Sequence, residues 1–156
     1  RGGRDTIVGS SGDDVIAGGA GRDTLSGGYG NDSYLFGSGD GRDTINNADA
    51  DSSSLDILKM NDVDYDQLWL SRKRNHLAIN IAGSTDRVLI KNWYAQEESQ
   101  LDEIHAGDYV LLRAQVDQLV SAMSAFDVPE GVGVIIPLEA RAELEPVLGS
   151  VWQLTA

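Results

Sequence analysis

Aspartate recurs every nine residues at the start of this chain, and that period narrows the possible folds more than any other feature. Arg4-Asp5-Thr6-Ile7, Asp13-Asp14-Val15-Ile16, Arg22-Asp23-Thr24-Leu25 and Asn31-Asp32-Ser33-Tyr34 stand in strict phase. Glycine-rich quartets precede the last three: Gly9-Ser10-Ser11-Gly12, Gly18-Gly19-Ala20-Gly21 and Gly27-Gly28-Tyr29-Gly30. So short a unit cannot bury a face alone; it gains stability only by stacking on its neighbours. The glycines admit turns that a side chain would forbid. The apolar residue two places after each aspartate (Ile7, Ile16, Leu25, Tyr34) is expected on a short strand, facing inward. If two nonapeptides make one turn, equivalent loops stack at a spacing of eighteen residues.

Charge sharpens this reading. Residues 1–58 hold ten Asp, no Glu and four Arg, a net of −6. Exclusive use of Asp points to short, stiff carboxylates at defined backbone positions, and calcium takes about six to eight such oxygen ligands. The chain has no cysteine, so a secreted form would need another staple, and metal is the usual one. Without it, stacked carboxylates repel and a glycine-rich backbone loses too much entropy to fold. The formal net charge of −13 disfavours nucleic acid, which needs a basic face. Arg1 falls inside a repeat with no initiator methionine, so the chain is expected to be a piece of something longer.

The window Gly18-Gly19-Ala20-Gly21-Arg22-Asp23-Thr24-Leu25-Ser26 is a full match to the calcium-binding nonapeptide of RTX proteins. Beyond Tyr34, Ser38-Gly39-Asp40-Gly41-Arg42-Asp43-Thr44-Ile45 restores the register after a two-residue insertion, and Asp51-Ser52-Ser53-Ser54-Leu55-Asp56-Ile57-Leu58 restores it without glycines. The resemblance implies the ligands. In the RTX pattern one loop gives two carbonyls and its aspartate, and the loop one turn later gives two more carbonyls and its own. Carried over, a first Ca2+ site takes Arg1, Gly3 and Asp5 with Gly18, Ala20 and Asp23. A second takes Ser10, Gly12 and Asp14 with Gly27, Tyr29 and Asp32. A third pairs Gly19, Gly21 and Asp23 with Ser38, Asp40 and Asp43, and a fourth pairs Gly28, Gly30 and Asp32 with Asp51, Ser53 and Asp56. Asp23 and Asp32 would bridge successive ions on the two edges.

From residue 65 the pattern becomes short β-prone runs at 67–70, 77–81 and 87–90, separated by polar turns at 72–75 and 83–86. These strands are expected to cap the open end of the roll. Leu112, Val116, Leu119, Val120, Met123 and Phe126 follow helical spacing, which predicts an amphipathic helix over 112–126. The expected fold class is mainly β. It comprises a parallel β-roll over 1–58, a capping region of antiparallel strands and helix over 59–126, and an acidic, apolar tail over 127–156.

The run Asn31-Asp32-Ser33-Tyr34-Leu35-Phe36-Gly37, with Trp93-Tyr94 and Glu103-Ile104-His105, resembles the end of the RTX region in adenylate cyclase-haemolysin toxins. The last thirty residues hold five acidic groups, one Arg and no Lys, and resemble uncleaved type I secretion signals. These resemblances imply a calcium-dependent folding and secretion module of a larger RTX protein, exported by a Gram-negative bacterium. Its implied partners are calcium, the type I apparatus and upstream RTX blocks. The alternatives are an adhesin module using Trp69, Trp93 and Tyr94, or the non-catalytic tail of a secreted lipase or protease. No catalysis is expected. His76 and His105 stand in no catalytic spacing, and the acidic pairs Glu97-Glu98 and Asp102-Glu103 read as solvated turns.

Overall fold

The computed structural model describes residues 3–47, 55–95, 99–126 and 136–154. Each clean nonapeptide contributes one strand: β1 (Thr6–Val8), β2 (Val15–Ala17), β3 (Thr24–Ser26) and β4 (Ser33–Gly37). The looser repeats add β5 (Arg42–Ile45) and β6 (Ile57–Asn61). Odd strands pair in parallel in one sheet and even strands in a second; the β1–β3 and β2–β4 pairs keep the eighteen-residue spacing, and the looser repeats stretch it to twenty (β3–β5) and twenty-four (β4–β6). Ile7 lies over Leu25 and Leu25 over Ile45; across the roll, Ile16 lies over Tyr34 and Tyr34 over Leu58. Strand alternation turns these residues inward and leaves Val8 and Val15 exposed. Burial deepens along the stack, from half-buried Ile7 to fully buried Tyr34, Ile45 and Leu58.

The capping strands continue both sheets rather than forming a separate layer. In the first sheet β9 (Arg87–Ile90) pairs in parallel with β5, and antiparallel β8 (His76–Ile81) and β7 (Leu68–Lys73) follow. In the second, β10 (Glu103–Ala106) pairs in parallel with β6, then antiparallel with β11 (Tyr109–Leu112). Each sheet therefore changes from parallel to antiparallel one strand beyond the roll. That continuity satisfies the backbone groups of β5 and β6, which would otherwise form open edges. The boundary expected after residue 58 falls inside β6.

Helix α1 (Arg113–Met123) buries Val116, Leu119 and Met123, at the spacing of one helical face. It is shorter than expected at both ends. Leu112 closes β11 instead, and Phe126 lies beyond the helix with its ring edge-on to Trp69.

Much of the segment read as a tail is folded into the same body. Helix α2 (Leu138–Val151) packs on α1, and β12 (Trp152–Leu154) pairs antiparallel with β11, setting Trp152 opposite Leu111. Ile136, Ala140, Leu144, Val151 and Trp152 are all buried. Pro146 sits inside α2, where proline ordinarily signals a break, and its buried positions are sparse; both features conceal the helix from periodicity. Residues 127–135 and 155–156 lie outside those described. Because Trp152 completes the core, Trp152→Ala should cost roughly 3–5 kcal/mol, measured by urea denaturation in saturating calcium. A loss under about 0.5 kcal/mol, the surface value, would show that β12 contributes nothing to the fold.

Candidate metal centre

Two rows of loops join the sheets. The first edge carries the turns ahead of β1, β3 and β5; the second carries those ahead of β2, β4 and β6. On both, the aspartates form a ladder. The Asp5 N–H donates to Asp23 Oδ1 at 2.8 Å, and the Asp23 N–H to Asp43 Oδ1 at 2.9 Å. On the second edge Asp14 N–H donates to Asp32 Oδ1 and Asp32 N–H to Asp56 Oδ1, each at 3.0 Å. Each of these carboxylates thus holds the backbone of the turn before it.

The other oxygens of the ladder carboxylates differ from rung to rung in what they meet. Asp23 and Asp43 are 1% and 2% exposed, and their Oδ2 atoms are buried without a hydrogen-bond partner. A buried anionic oxygen left so is costly unless it is neutralised by a proton or a cation. Asp43 shows the strain: burial pushes its pKa up to about 7, aided by the charges of Asp23, Asp40 and Asp86 and opposed by the Asp23 N–H bond. Gly18 makes room for the neighbouring carboxylate, since a Cβ there would stand 2.5 Å from Asp23 Oδ2 and 2.9 Å from Asp23 Cβ. Gly21 has φ +125°, and a side chain on it would strike the Gly3 carbonyl. Hard anionic oxygens, stacked carbonyls and no thiol or imidazole are a donor set suited to calcium.

The first and third expected sites share this edge. Loops bearing Gly3 and Asp5, then Gly18, Ala20 and Asp23, are brought together by the Asp5–Asp23 bond; Arg1 lies outside the described residues. Gly19 and Gly21 lie with Asp23 above Ser38, Asp40 and Asp43, although Asp40 Oδ2 is turned back onto the Gly37 N–H at 2.9 Å. The carbonyls of Gly3 and Gly21 accept from the Arg22 and Arg42 N–H groups at 2.9 and 3.0 Å, each keeping a second lone pair. Among the described residues no three Asp, Glu or His side chains converge on one point. An ion here would therefore take its ligands mostly from aspartate pairs and backbone.

On the second edge protein donors reach the second oxygens of Asp14 and Asp56. At the second site, with Ser10, Gly12 and Asp14 above Gly27, Tyr29 and Asp32, Asp14 Oδ2 accepts from the Ser10 N–H at 2.7 Å. At the fourth, Gly28, Gly30 and Asp32 face Asp56, while Asp51 and Ser53 lie outside the described residues. There Asp56 Oδ2 accepts from Asn47 Nδ2 at 3.0 Å, and Asn47 Oδ1 accepts from the Tyr34 hydroxyl at 2.7 Å. That hydroxyl in turn accepts from the Gly27 N–H at 2.8 Å. A buried neutral network thus engages the oxygen that the fourth site would offer an ion.

Two aspartates escaped the sequence reading. Asp102 Oδ2 accepts from the Asp56 N–H at 2.9 Å and extends the second ladder by a rung. Asp102-Glu103-Ile104 repeats the order of Asp56-Ile57-Leu58, a signal hidden by the long interval between them. Asp86 closes the first edge, accepting from the Gly39 and Gly41 N–H groups at 2.9 Å each. The aromatics of the adhesin alternative do not offer open faces. Trp69 and Trp93 are 1% and 2% exposed, and Tyr94 is half-buried beneath Arg72, 4.4 Å from its ring. His76 Nδ1 accepts from the Asn92 N–H at 2.9 Å, and His105 Nε2 pairs with Glu103 Oε1 at 2.7 Å.

Comparison with known proteins agrees with this geometry. Residues 1–34 and 8–45 match the model of the RTX calcium-binding nonapeptide repeat, in four copies. Residues 76–105, which include β8 and β9, match the haemolysin-type calcium binding protein related domain. The iron-regulated protein FrpA of Neisseria meningitidis serogroup C is 37% identical over 92 residues, which cover 56% of this chain and 8% of that protein. The chain thus spans a small part of the length of this relative.

Two outcomes follow from the crowded first edge. Gly18→Ala should weaken calcium-induced folding far more than Gly12→Ala, whose Cβ would meet nothing nearer than Ser10 Oγ at 3.7 Å; circular dichroism during calcium titration compares them. The second outcome concerns pH. Asp43's folded pKa of about 7 exceeds the ordinary value of about 3.9, so the proton's stabilisation is complete below about pH 4 and is lost as pH rises through about 7. In chelator, the folded fraction should therefore rise on acidification from pH 8 to 5, and Asp43→Asn should flatten that response.

Proposed function

We propose that this chain, whose residues 1–45 are RTX calcium-binding nonapeptide repeats, is the calcium-triggered folding and secretion module of a larger exported protein. The observation that carries this reading is the pair of buried, unpartnered oxygens on Asp23 and Asp43 within a stack of aspartate loops. Bound calcium would supply the positive charge that such a stack lacks. Gly18 keeps space beside Asp23, the ladder N–H groups fix each carboxylate, and the two sheets hold the loops at one spacing.

Binding energy then becomes folding energy. Extracellular calcium modules bind at about 0.1–1 mM, so the segment stays unfolded in the cytosol and folds outside. A Gram-negative cell would export the parent through a type I apparatus, with residues 127–156 as the signal. Folding of the emerged end opposes back-sliding and offers β1 and β2 as a template for upstream repeats. Catalytic or toxic activity, on this reading, belongs to the rest of the parent.

Circular dichroism of residues 1–156 should show little β-structure in chelator and a cooperative gain near millimolar calcium. Full β-structure in chelator at neutral pH would overturn the reading. Asp23→Asn, which removes a rung shared by two turns, should raise the calcium midpoint more than Asp5→Asn; equal shifts would dismiss the bridging role. A passenger fused ahead of residues 1–156 should leave a cell that carries a type I system, and one fused to residues 1–126 should not. Equal export of both would remove the signal from the tail.

A further inference from the structure

Acidic and aromatic residues meet at one corner of the capping region, outside both aspartate ladders. The chain runs Asp62-Val63-Asp64-Tyr65-Asp66 into a single 3-10 turn, Tyr65–Gln67, just ahead of β7. Two bonds of 3.0 Å pin that turn, from the Gln67 N–H to the Asp64 carbonyl and from the Asp64 N–H to Gln67 Oε1. Beside it lies the two-residue turn Gly107-Asp108 between β10 and β11, where Gly107 takes φ +60° and Ala106 pairs with Tyr109. So tight a hairpin fixes where Tyr109 emerges. The Tyr65 and Tyr109 rings stand with centroids 4.5 Å apart and planes tilted by 49°, and the Trp152 ring lies 5.7 Å from Tyr65. The Trp152 indole N–H is buried without a hydrogen-bond partner, so the cluster holds an unmet donor.

Both half-buried tyrosines line a cavity of about 280 Å³ with the exposed residues Asp64, Asp66 and Asp108. None of the described residues lining it is basic. Arg141 Nη1 approaches Asp66 Oδ2 only to 4.0 Å, from a neighbouring cavity that it lines with Leu144 and Leu148. The field at the rings is therefore negative. Burial holds the Tyr65 hydroxyl above its ordinary pKa, and Tyr109, Asp66, Glu145 and Asp64 push it the same way. Yet the carboxylates do not converge, since among the described residues no three Asp, Glu or His side chains are grouped to hold a metal.

We infer that this cavity binds a small organic cation of the quaternary ammonium class, seated against the Tyr65 and Tyr109 rings and faced by Asp64, Asp66 and Asp108. Such a cation is drawn to aromatic rings and spreads its charge over methyl groups, so it needs no directed ligands. A lysine ammonium is compact and strongly hydrated, and fits dispersed carboxylates and rings less well. Choline, which joins a quaternary ammonium to a hydroxyl oxygen that can accept a hydrogen bond, is the simplest probe.

The test is saturation-transfer NMR of choline with residues 1–156 in calcium, with circular dichroism on each sample to check the fold. The choline N-methyl signal should receive saturation, and that of its neutral isostere 3,3-dimethylbutanol should not. Tyr109→Leu should weaken choline binding about tenfold, whereas Tyr109→Phe, which keeps the ring, should leave it intact. Should Tyr109→Leu fail to fold, Asp108→Asn on the exposed turn carries the test, with a loss of about threefold. Glu139→Gln, exposed in the first turn of α2 and lining neither cavity, should change nothing. A folded protein that ignores choline, or binds it equally without the Tyr109 ring and without the Asp108 charge, overturns the site. Equal binding of the neutral isostere, tighter binding of n-butylammonium as a stand-in for lysine, or displacement by excess calcium at constant ionic strength overturns the choice of ligand.

Discussion

Everything in the first half of the chain depends on one repeated contact, an aspartate carboxylate accepting the backbone N–H of the aspartate one turn earlier. The contact fixes the loop, sets the register of the strand that follows, and places like charges above one another. It is favourable as a hydrogen bond and unfavourable as electrostatics. A buried column of carboxylates is tolerable only if protons, cations or donors offset it. The means differ from rung to rung: Asp23 and Asp43 keep buried oxygens without donors, whereas Ser10 and Asn47 serve Asp14 and Asp56.

Depth of packing gives the roll a direction. Toward β1 the core is shallow, and Ile7 is only half-buried. Toward β6 and β9 it merges with Trp69, Ile79, Trp93 and Leu119 in one continuous apolar body. The well-packed end thus supports the shallow one. The Tyr34–Asn47–Asp56 network lies where the two meet. Asp86 and Asp102 carry the aspartate habit into the capping strands, each accepting N–H bonds from the last turns of the roll.

The roll was legible because its period is local. Nine-residue spacing fixes which residues turn inward, and Leu25, Tyr34, Ile45 and Leu58 are buried as the alternation requires. Strands β7, β8 and β9 were legible from their β-prone runs, and α1 from the spacing of Val116, Leu119 and Met123. Partners far apart in sequence left no such mark. Nothing local tells that β10 lies beside β6, or that Trp152 faces Leu111. Pro146 disguised α2 as a tail. At the site, spacing identified the aspartates but not their second oxygens. Whether an oxygen meets Ser10, Asn47 or nothing depends on side-chain geometry that no period encodes.

The central claim is that the ladder forms because a cation offsets its charge. Hydrogen exchange at the amides of Asp5, Asp14, Asp23 and Asp32, followed in calcium and in chelator at neutral pH, tests it most directly. These four N–H groups donate the ladder bonds. The account predicts strong protection in calcium and exchange near the unfolded rate in chelator. Equal protection in both would show that the ladder stands without an ion.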